Sequence, residues 1–401
     1  MKKNIFLIAA AALLGLSSCD NGPEYGDAVF MTGTLSSPKV KFLVEGESST
    51  ALTVSSTAKA EEDVTITLVP APELLESYNK STGYNCVVPP ADAYVLEGNK
   101  VTIEKGKAIS SGLTITANAD KLQEGVSYCL PVKIESVSAG DLKILESSRT
   151  AYVMFSKVIN IKAAYLARNN AFTIYGFAGD ESPVKALGQM TIEMKVMPVS
   201  FPTSGGASGI SSLCGCEENF LFRFGDGAGN PNNKLQLAKA SIGSASHPDK
   251  KDHYEAWADQ EFDTGKWHHF AAVYDGQFFR VYLDGEQIQF VETKNGGTIN
   301  LSMAYDGHSW EDTFAIGRSV GFARMFDGCV SECRIWNVAR TTAELNDGIC
   351  YVDPSTPGLI AYWRFNGELQ DDGTVRDETG HGYDATPYRT VQWMENQKCP
   401  F

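Results

Sequence analysis

Three observations predict an all-β chain built as two sandwich domains. Residues 28–155 fall into seven short runs of alternating apolar and polar residues, separated by turn formers. No long stretch among them carries a helical period. Residues 266–288, KWHHFAAVYDGQFFRVYLDGEQI, read as two strands, with Asp-Gly turns at Asp275-Gly276 and Asp284-Gly285. Glycine there supplies the positive φ of a tight hairpin. A length of 401 residues suits two or three domains, and 43% hydrophobic against 21% charged residues is ordinary globular composition.

The first nineteen residues read as an export address. Lys2 and Lys3 precede an apolar run, 5–16, that is too short to span a bilayer. Leu16-Ser17-Ser18-Cys19 is similar to a bacterial lipobox, which implies a diacylated Cys19 at the mature N-terminus. The alternative is an ordinary secretory cut near Ser18. Residues 20–27 then form a tether. The expected place is the outer membrane, lipid-anchored and surface-exposed, with the membrane touched through the lipid alone. A net charge of −15 with no Lys/Arg cluster argues against nucleic acid. Export permits disulfides among the eight other cysteines, of which Cys350 and Cys399 flank the last segment. Neither Cys214-Gly-Cys216 nor Cys329-x-x-x-Cys333 has metal spacing or a nearby histidine, and the pairing stays open.

In the first domain, 28–155, strands are expected at 39–44, 51–54, 64–69, 100–103, 113–117, 127–134 and 151–155, with a helical turn near 72–78. Seven strands over this length suit an immunoglobulin-like sandwich. Tyr94-Val-Leu, Val101-Thr-Ile-Glu-Lys-Gly106 and Gly125-x-x-Tyr128-x-Leu130-Pro131-Val132 resemble the N-terminal domain of unknown function of Bacteroidetes-type surface lipoproteins. That resemblance implies a spacer or docking role and no site residues. Residues 156–170 read as a connector. It is poor in Gly and Pro, so the two domains should touch.

The second domain is expected over 171–395, with a tail at 396–401. Strands are expected at 190–197, 210–214, 220–224, 234–237, 267–274, 278–283, 314–317 and 359–365. Thr341 fits an N-cap, with Glu344 completing a capping box. The Gly225–Asn230 loop is no nucleotide fingerprint, because Pro231 follows and no helix does. The stretch Trp267-His-His-Phe-Ala-x-Val-Tyr-Asp-Gly276 with Tyr282-Leu-Asp-Gly285 resembles the signature of laminin-G-like, concanavalin-A-like jelly rolls. Glu332, Arg334, Ile335, Trp336, Asn337, Ala339, Thr341 and Glu344 match a second signature, with Ser331 and Cys333 standing for its Asp and Val. Ala361-Tyr-Trp-x-Phe365 and Val375-x-Asp377-x-Thr-Gly380 match a third.

The resemblance implies a binder of carbohydrate or protein, or in a minority of relatives a glycosidase. Glycosidases of this fold carry E-x-D-x-x-E on one strand, so that acid and nucleophile share a face. This chain has no such string; Glu193-Met-Lys and Glu332-Cys-Arg lack partner acids. His268 and His269 are strand neighbours that point to opposite faces, so they form no metal pair. The resemblance also implies a calcium ion, for which Asp377 and Asp384 are the candidate ligands; capping of the turn before Gly380 is the other reading of Asp377. Stacking on a sugar needs exposed aromatics flanked by polar groups. Tyr254 and Trp257, then Tyr305, His308 and Trp310, are those candidates, whereas Trp267, Trp336 and Trp363 fall at packing positions. The expected function is non-catalytic capture of an oligo- or polysaccharide, beside other proteins of a surface glycan-uptake complex. A protein-binding adhesin and a divergent glycoside hydrolase are the alternatives. Labelled fatty acid fed to the producing bacterium should enter the protein, and Cys19→Ala should abolish that label and release the protein from membranes.

Overall fold

The computed structural model describes residues 27–399, apart from 140–141, 180, 204–208, 218, 226–230, 242–252, 293–296, 303–312, 320 and 322; side chains at 238–241, 253–257 and 291–292 are also left out. Cys19, Tyr305, His308 and Trp310 therefore lie outside the described residues, as do the side chains of Tyr254 and Trp257.

The first domain is a two-layer β-sandwich of the expected immunoglobulin-like kind. A five-stranded sheet packs over two three-stranded sheets. Alternation does the work: Val64, Ile66 and Leu68 of the Val64–Pro70 strand point inward, as do Leu113, Ile115 and Ala117 of Leu113–Asn118. Lys39–Val44 runs parallel to Thr150–Lys157, which in turn pairs antiparallel with Tyr128–Val137. The expected turn near 72–78 is longer than the sequence indicates. A 3₁₀ turn, Pro72–Leu74, leads into a helix, Leu75–Thr82, stopped by Gly83 at φ 77°.

The second domain is a sandwich of an eight-stranded and a seven-stranded sheet. Met190–Ser200 lies at the centre of the larger sheet, between His268–Tyr274 and Asp327–Trp336. Its Met190, Ile192, Met194 and Val196 enter the core, with Phe270, Ala272 and Tyr274 beside them. The opening hairpin forms as expected. Gly276 has φ 101°, and Asp284 and Gly285 have φ 49° and 83°, both positive as a tight two-residue turn requires. The capping box at Thr341–Glu344 starts the helix Thr342–Asp347. The smaller sheet runs in the spatial order His253–Glu261, Lys234–Ser241, Phe220–Phe224, Ser211–Cys216, Ala315–Ile316, Phe172–Thr173, Thr386–Pro387.

The connector is part of this domain. Ile159–Tyr165 is a strand of the larger sheet, paired with Gln392–Cys399 and with Asp327–Trp336. Residues 396–399 thus belong to a strand and are not a tail. A disulfide, Cys350–Cys399, fastens that last strand to the segment after the helix. The domains touch. Ser127 Oγ donates to Asp347 Oδ1 at 2.8 Å, Lys398 pairs with Glu45 at 2.8 Å, and Arg364 reaches Glu124 at 3.5 Å. Gly125 lies against the Tyr351 ring, where a Cβ would come within 2.6 Å of a ring carbon.

Opening the 49-residue separation between Cys350 and Cys399 frees the unfolded chain. Cys350→Ser with Cys399→Ser should therefore lower stability by about 2–4 kcal/mol, read from the denaturant midpoint.

Candidate functional site

On the smaller sheet Phe220, Phe222, Phe224, Leu235 and Leu237 point into the core. Their alternate neighbours face the other way. Register sets Ser212 opposite Arg223 and Arg223 opposite Gln236, so three strands contribute one row facing away from the core, and Gln236 stands opposite the backbone position of Trp257 on a fourth. Arg223 Nε donates to Gln236 Oε1 at 2.6 Å. The Ser212 and Ser319 hydroxyls share a hydrogen bond of 2.8 Å. Beyond them Arg318 donates to Thr173 Oγ1 at 3.0 Å, and Arg324, whose carbonyl accepts from Ser212 N–H, pairs with Glu217 at 2.8 Å. All these described side chains except Glu217 and Arg324 are buried. Among the described residues, buried Gln236 Nε2 and Glu217 Oε2 meet no hydrogen-bond partner. A buried donor or acceptor left unmade costs about 1–3 kcal/mol, so each has hydrogen-bonding capacity still to be met. One is a donor and the other an acceptor, the pair of roles a hydroxyl fills by itself.

Two of the sequence candidates converge on this sheet. Trp257 holds the register position next to Gln236, and Tyr254 lies opposite Ala240 on the same strand pair. The stretch with Tyr305, His308 and Trp310 lies outside the described residues. Its base is closed by Thr313 Oγ1 donating to Ser302 O at 3.0 Å, and it returns into Ala315–Ile316 in the middle of the sheet. Arg223 and Gln236 were not legible as site residues. The one signal is a single polar residue breaking each of two apolar runs, FLFRF and LQL.

Across the sandwich, the outer face of the larger sheet brings two acids together. Glu193 faces Arg334, and Lys195 faces Glu332, on neighbouring strands. The sequence motif for an acid pair runs along one strand, so this arrangement escaped it. Both carboxylates are closed in, at 1% and 4% exposure. Glu193 accepts from His269 Nε2 at 3.0 Å, Arg340 at 2.9 Å and Arg334 at 3.3 Å. Glu332 is bound by Arg334 and lies 3.6 Å from Lys195. Burial alone would raise the Glu193 carboxyl, but Arg340, the His269 hydrogen bond and Arg334 hold it well below the usual carboxylate range. A glycosidase acid needs the opposite shift. His269 is spent on Glu193, while His268 Nδ1 meets Asp284 at 3.0 Å, so the two imidazoles serve separate structural contacts.

Asp377 is buried at the turn and accepts at both oxygens. Tyr362 N–H, Thr379 N–H and Thr379 O–H reach Oδ1, while Tyr383 N–H and Thr379 O–H reach Oδ2. Asp384 Oδ1 accepts from Asp377 N–H at 2.7 Å. Calcium is bound by six or more oxygens, and these carboxylates are surrounded by hydrogen-bond donors. The pair does not fit the ion, and the capping reading describes Asp377. Among the described residues no group of three or more His, Cys, Asp or Glu is placed to hold a metal.

Two β-sandwiches, the second with a polar row facing away from its core, define a two-domain all-β architecture. Residues 170–346 match the family model of the concanavalin A-like lectin/glucanases superfamily, and residues 25–141 match that of an N-terminal domain. The chain carries a domain of that superfamily, as its hairpin and Trp336 signatures imply. No curated protein matches the chain. A candidate carbohydrate-binding protein from Bacteroides ovatus, known as a crystal structure, is similar with a TM-score of 0.52 at 23% identity, over 92% of this chain and 98% of that one. The CBM40 of Ruminococcus gnavus IT-sialidase, bound to α2,3-sialyllactose, is similar at a TM-score of 0.31 and 15% identity, over 48% of this chain and 95% of that one. A likeness of that size says nothing about this chain's ligand.

The buried ion lattice sets an acid limit. Burial, outweighing the Glu193 contact, pushes the His269 imidazole down, so the unfolded chain binds more protons below about pH 6.5. Glu193, held low when folded, adds the same sign below about pH 4.3. Thermal midpoints should fall as pH drops from 7 to 4. Glu193→Gln should cost about 3–5 kcal/mol at pH 7, read by denaturant, by leaving buried Arg340 without its carboxylate and Arg334 with Glu332 alone.

Proposed function

We infer that this protein is a non-catalytic, lipid-anchored surface protein that captures carbohydrate on the outer face of its seven-stranded sheet. The observation that carries the reading is the Ser212–Arg223–Gln236 row, whose Gln236 Nε2 meets no hydrogen-bond partner among the described residues. Sugars present many hydroxyls, each both donor and acceptor. Guanidinium, amide and hydroxyl groups held in one row can meet several at once. The neutralised acids on the other sheet support a binding role over a hydrolytic one. The superfamily match and the Bacteroides ovatus relative point the same way. The lipobox-like Cys19 supports display at the outer membrane, and the first domain, fixed to the second through Asp347 and Lys398, serves as the spacer.

Mature protein on a glycan array, with and without calcium, should bind a defined set of oligosaccharides. Gln236→Ala and Arg223→Ala should each weaken that binding about tenfold or more, a loss of about 1.4 kcal/mol, measured at a temperature below the lowered thermal midpoint of each variant, where it is still folded. No binding, or binding indifferent to both variants, contradicts the reading. Release of reducing sugar from a polysaccharide panel would instead favour hydrolysis.

A further inference from the structure

The hairpin at the edge of the larger sheet, Phe278–Leu283 with Glu286–Glu292, carries a feature that the seven-stranded face does not explain. Phe279 and Val281 enter the core, so Phe278, Arg280 and Tyr282 face outward. Tyr282 is covered, packed with Leu345 of the helix. Phe278 and Arg280 are only half-buried. Phe290, opposite Arg280 on the edge strand, is 50% exposed, and it is the one exposed phenylalanine among the described residues.

These groups are ordered. The Phe278 and Phe290 rings stack at 4.9 Å and 22°. The Arg280 guanidinium carbon lies 5.6 Å from one ring centre and 5.4 Å from the other. Asp275 holds that guanidinium at 2.6 Å, and is itself fixed by the N–H groups of Gln277 and Phe278 at 3.0 and 2.8 Å. Burial would raise the Asp275 carboxyl, but Arg280 and the two N–H groups bring it below its ordinary value. A flat apolar surface is thus rimmed by a fixed cation that keeps N–H groups beyond the one Asp275 takes.

We propose that this platform is a second carbohydrate site, taking one pyranose ring against Phe290 with its hydroxyls on Arg280. The proposal rests on the glycan-binding reading and extends it to a separate face. Hairpin packing alone would be served by a buried aromatic pair, whereas Phe290 leaves half its surface in water. Two rings are far smaller than the roughly 800 Å² that each partner of a stable protein interface buries. They match a single sugar, whose C–H face needs an apolar plane and whose rim needs polar partners. Two separate sites on one chain raise avidity for a long polysaccharide without any new contact.

Isothermal titration of the mature protein with cellohexaose, xylohexaose and mannohexaose tests this. The wild type should bind at least one of them at two sites per chain. Phe290→Ala and Gln236→Ala should each leave one site, and the double variant none. Phe290→Trp, which keeps a flat apolar face, should retain both sites and controls for loss of packing. Full stoichiometry in Phe290→Ala, or a single wild-type site lost in Gln236→Ala, overturns the platform and leaves the glycan reading standing. No binding of any hexasaccharide by the wild type overturns both.

Discussion

The second sandwich depends on how Met190–Ser200 pairs with both neighbours at once. One face of that strand sends Met190, Ile192, Met194 and Val196 into the core. The other presents Thr191, Glu193 and Lys195, which are polar and nearly inaccessible. Burying such groups is costly unless each finds its partner. Register supplies them: Arg334 stands opposite Glu193 and Glu332 opposite Lys195. Arg340, from the segment leading into the capped helix, completes the set, and Thr191 Oγ1 binds the Val338 carbonyl. Arg340 thus ties the entry of the helix to this strand, and Lys195 Nζ donates to Cys399 Sγ of the disulfide at 3.0 Å.

That arrangement divides the labour between the two sheets. The larger sheet turns its outer face to structure, being covered by the helix through Leu345 and standing near the first domain through Asp347, Arg364 and Lys398. The smaller sheet keeps a polar row that the described chain satisfies only in part. Arg223 and Gln236 hold one another, and the second half of the Gln236 amide is left over. A group that is fixed in place but unsatisfied suits recognition, because little ordering remains to be done when a ligand arrives.

Much of the fold was legible because local rules governed it. The two Asp-Gly turns, the Thr341 cap and the alternation in 64–69 and 113–117 need only their own neighbours. What escaped reading depended on chain brought from elsewhere. Ile159–Tyr165 resembles a linker until it is known to lie between strands from 327–336 and 392–399. Arg223 and Gln236 sit eighteen positions or more from any aromatic candidate, and only the register makes Gln236 a neighbour of Trp257. Glu193 and Glu332 escaped a single-strand motif for the same reason. Asp377 and Asp384 were recognised as a pair; their donors, Tyr362 and Tyr383 among them, decide against calcium and could not be counted from the turn alone.

A crystal structure of the mature protein with a bound oligosaccharide tests the central claim most directly. The account predicts intact sugar with hydroxyl oxygens within hydrogen-bond distance of Gln236 Nε2 and the Arg223 guanidinium. Sugar held only away from that face, or found cleaved beside Glu193 and Glu332, would contradict it.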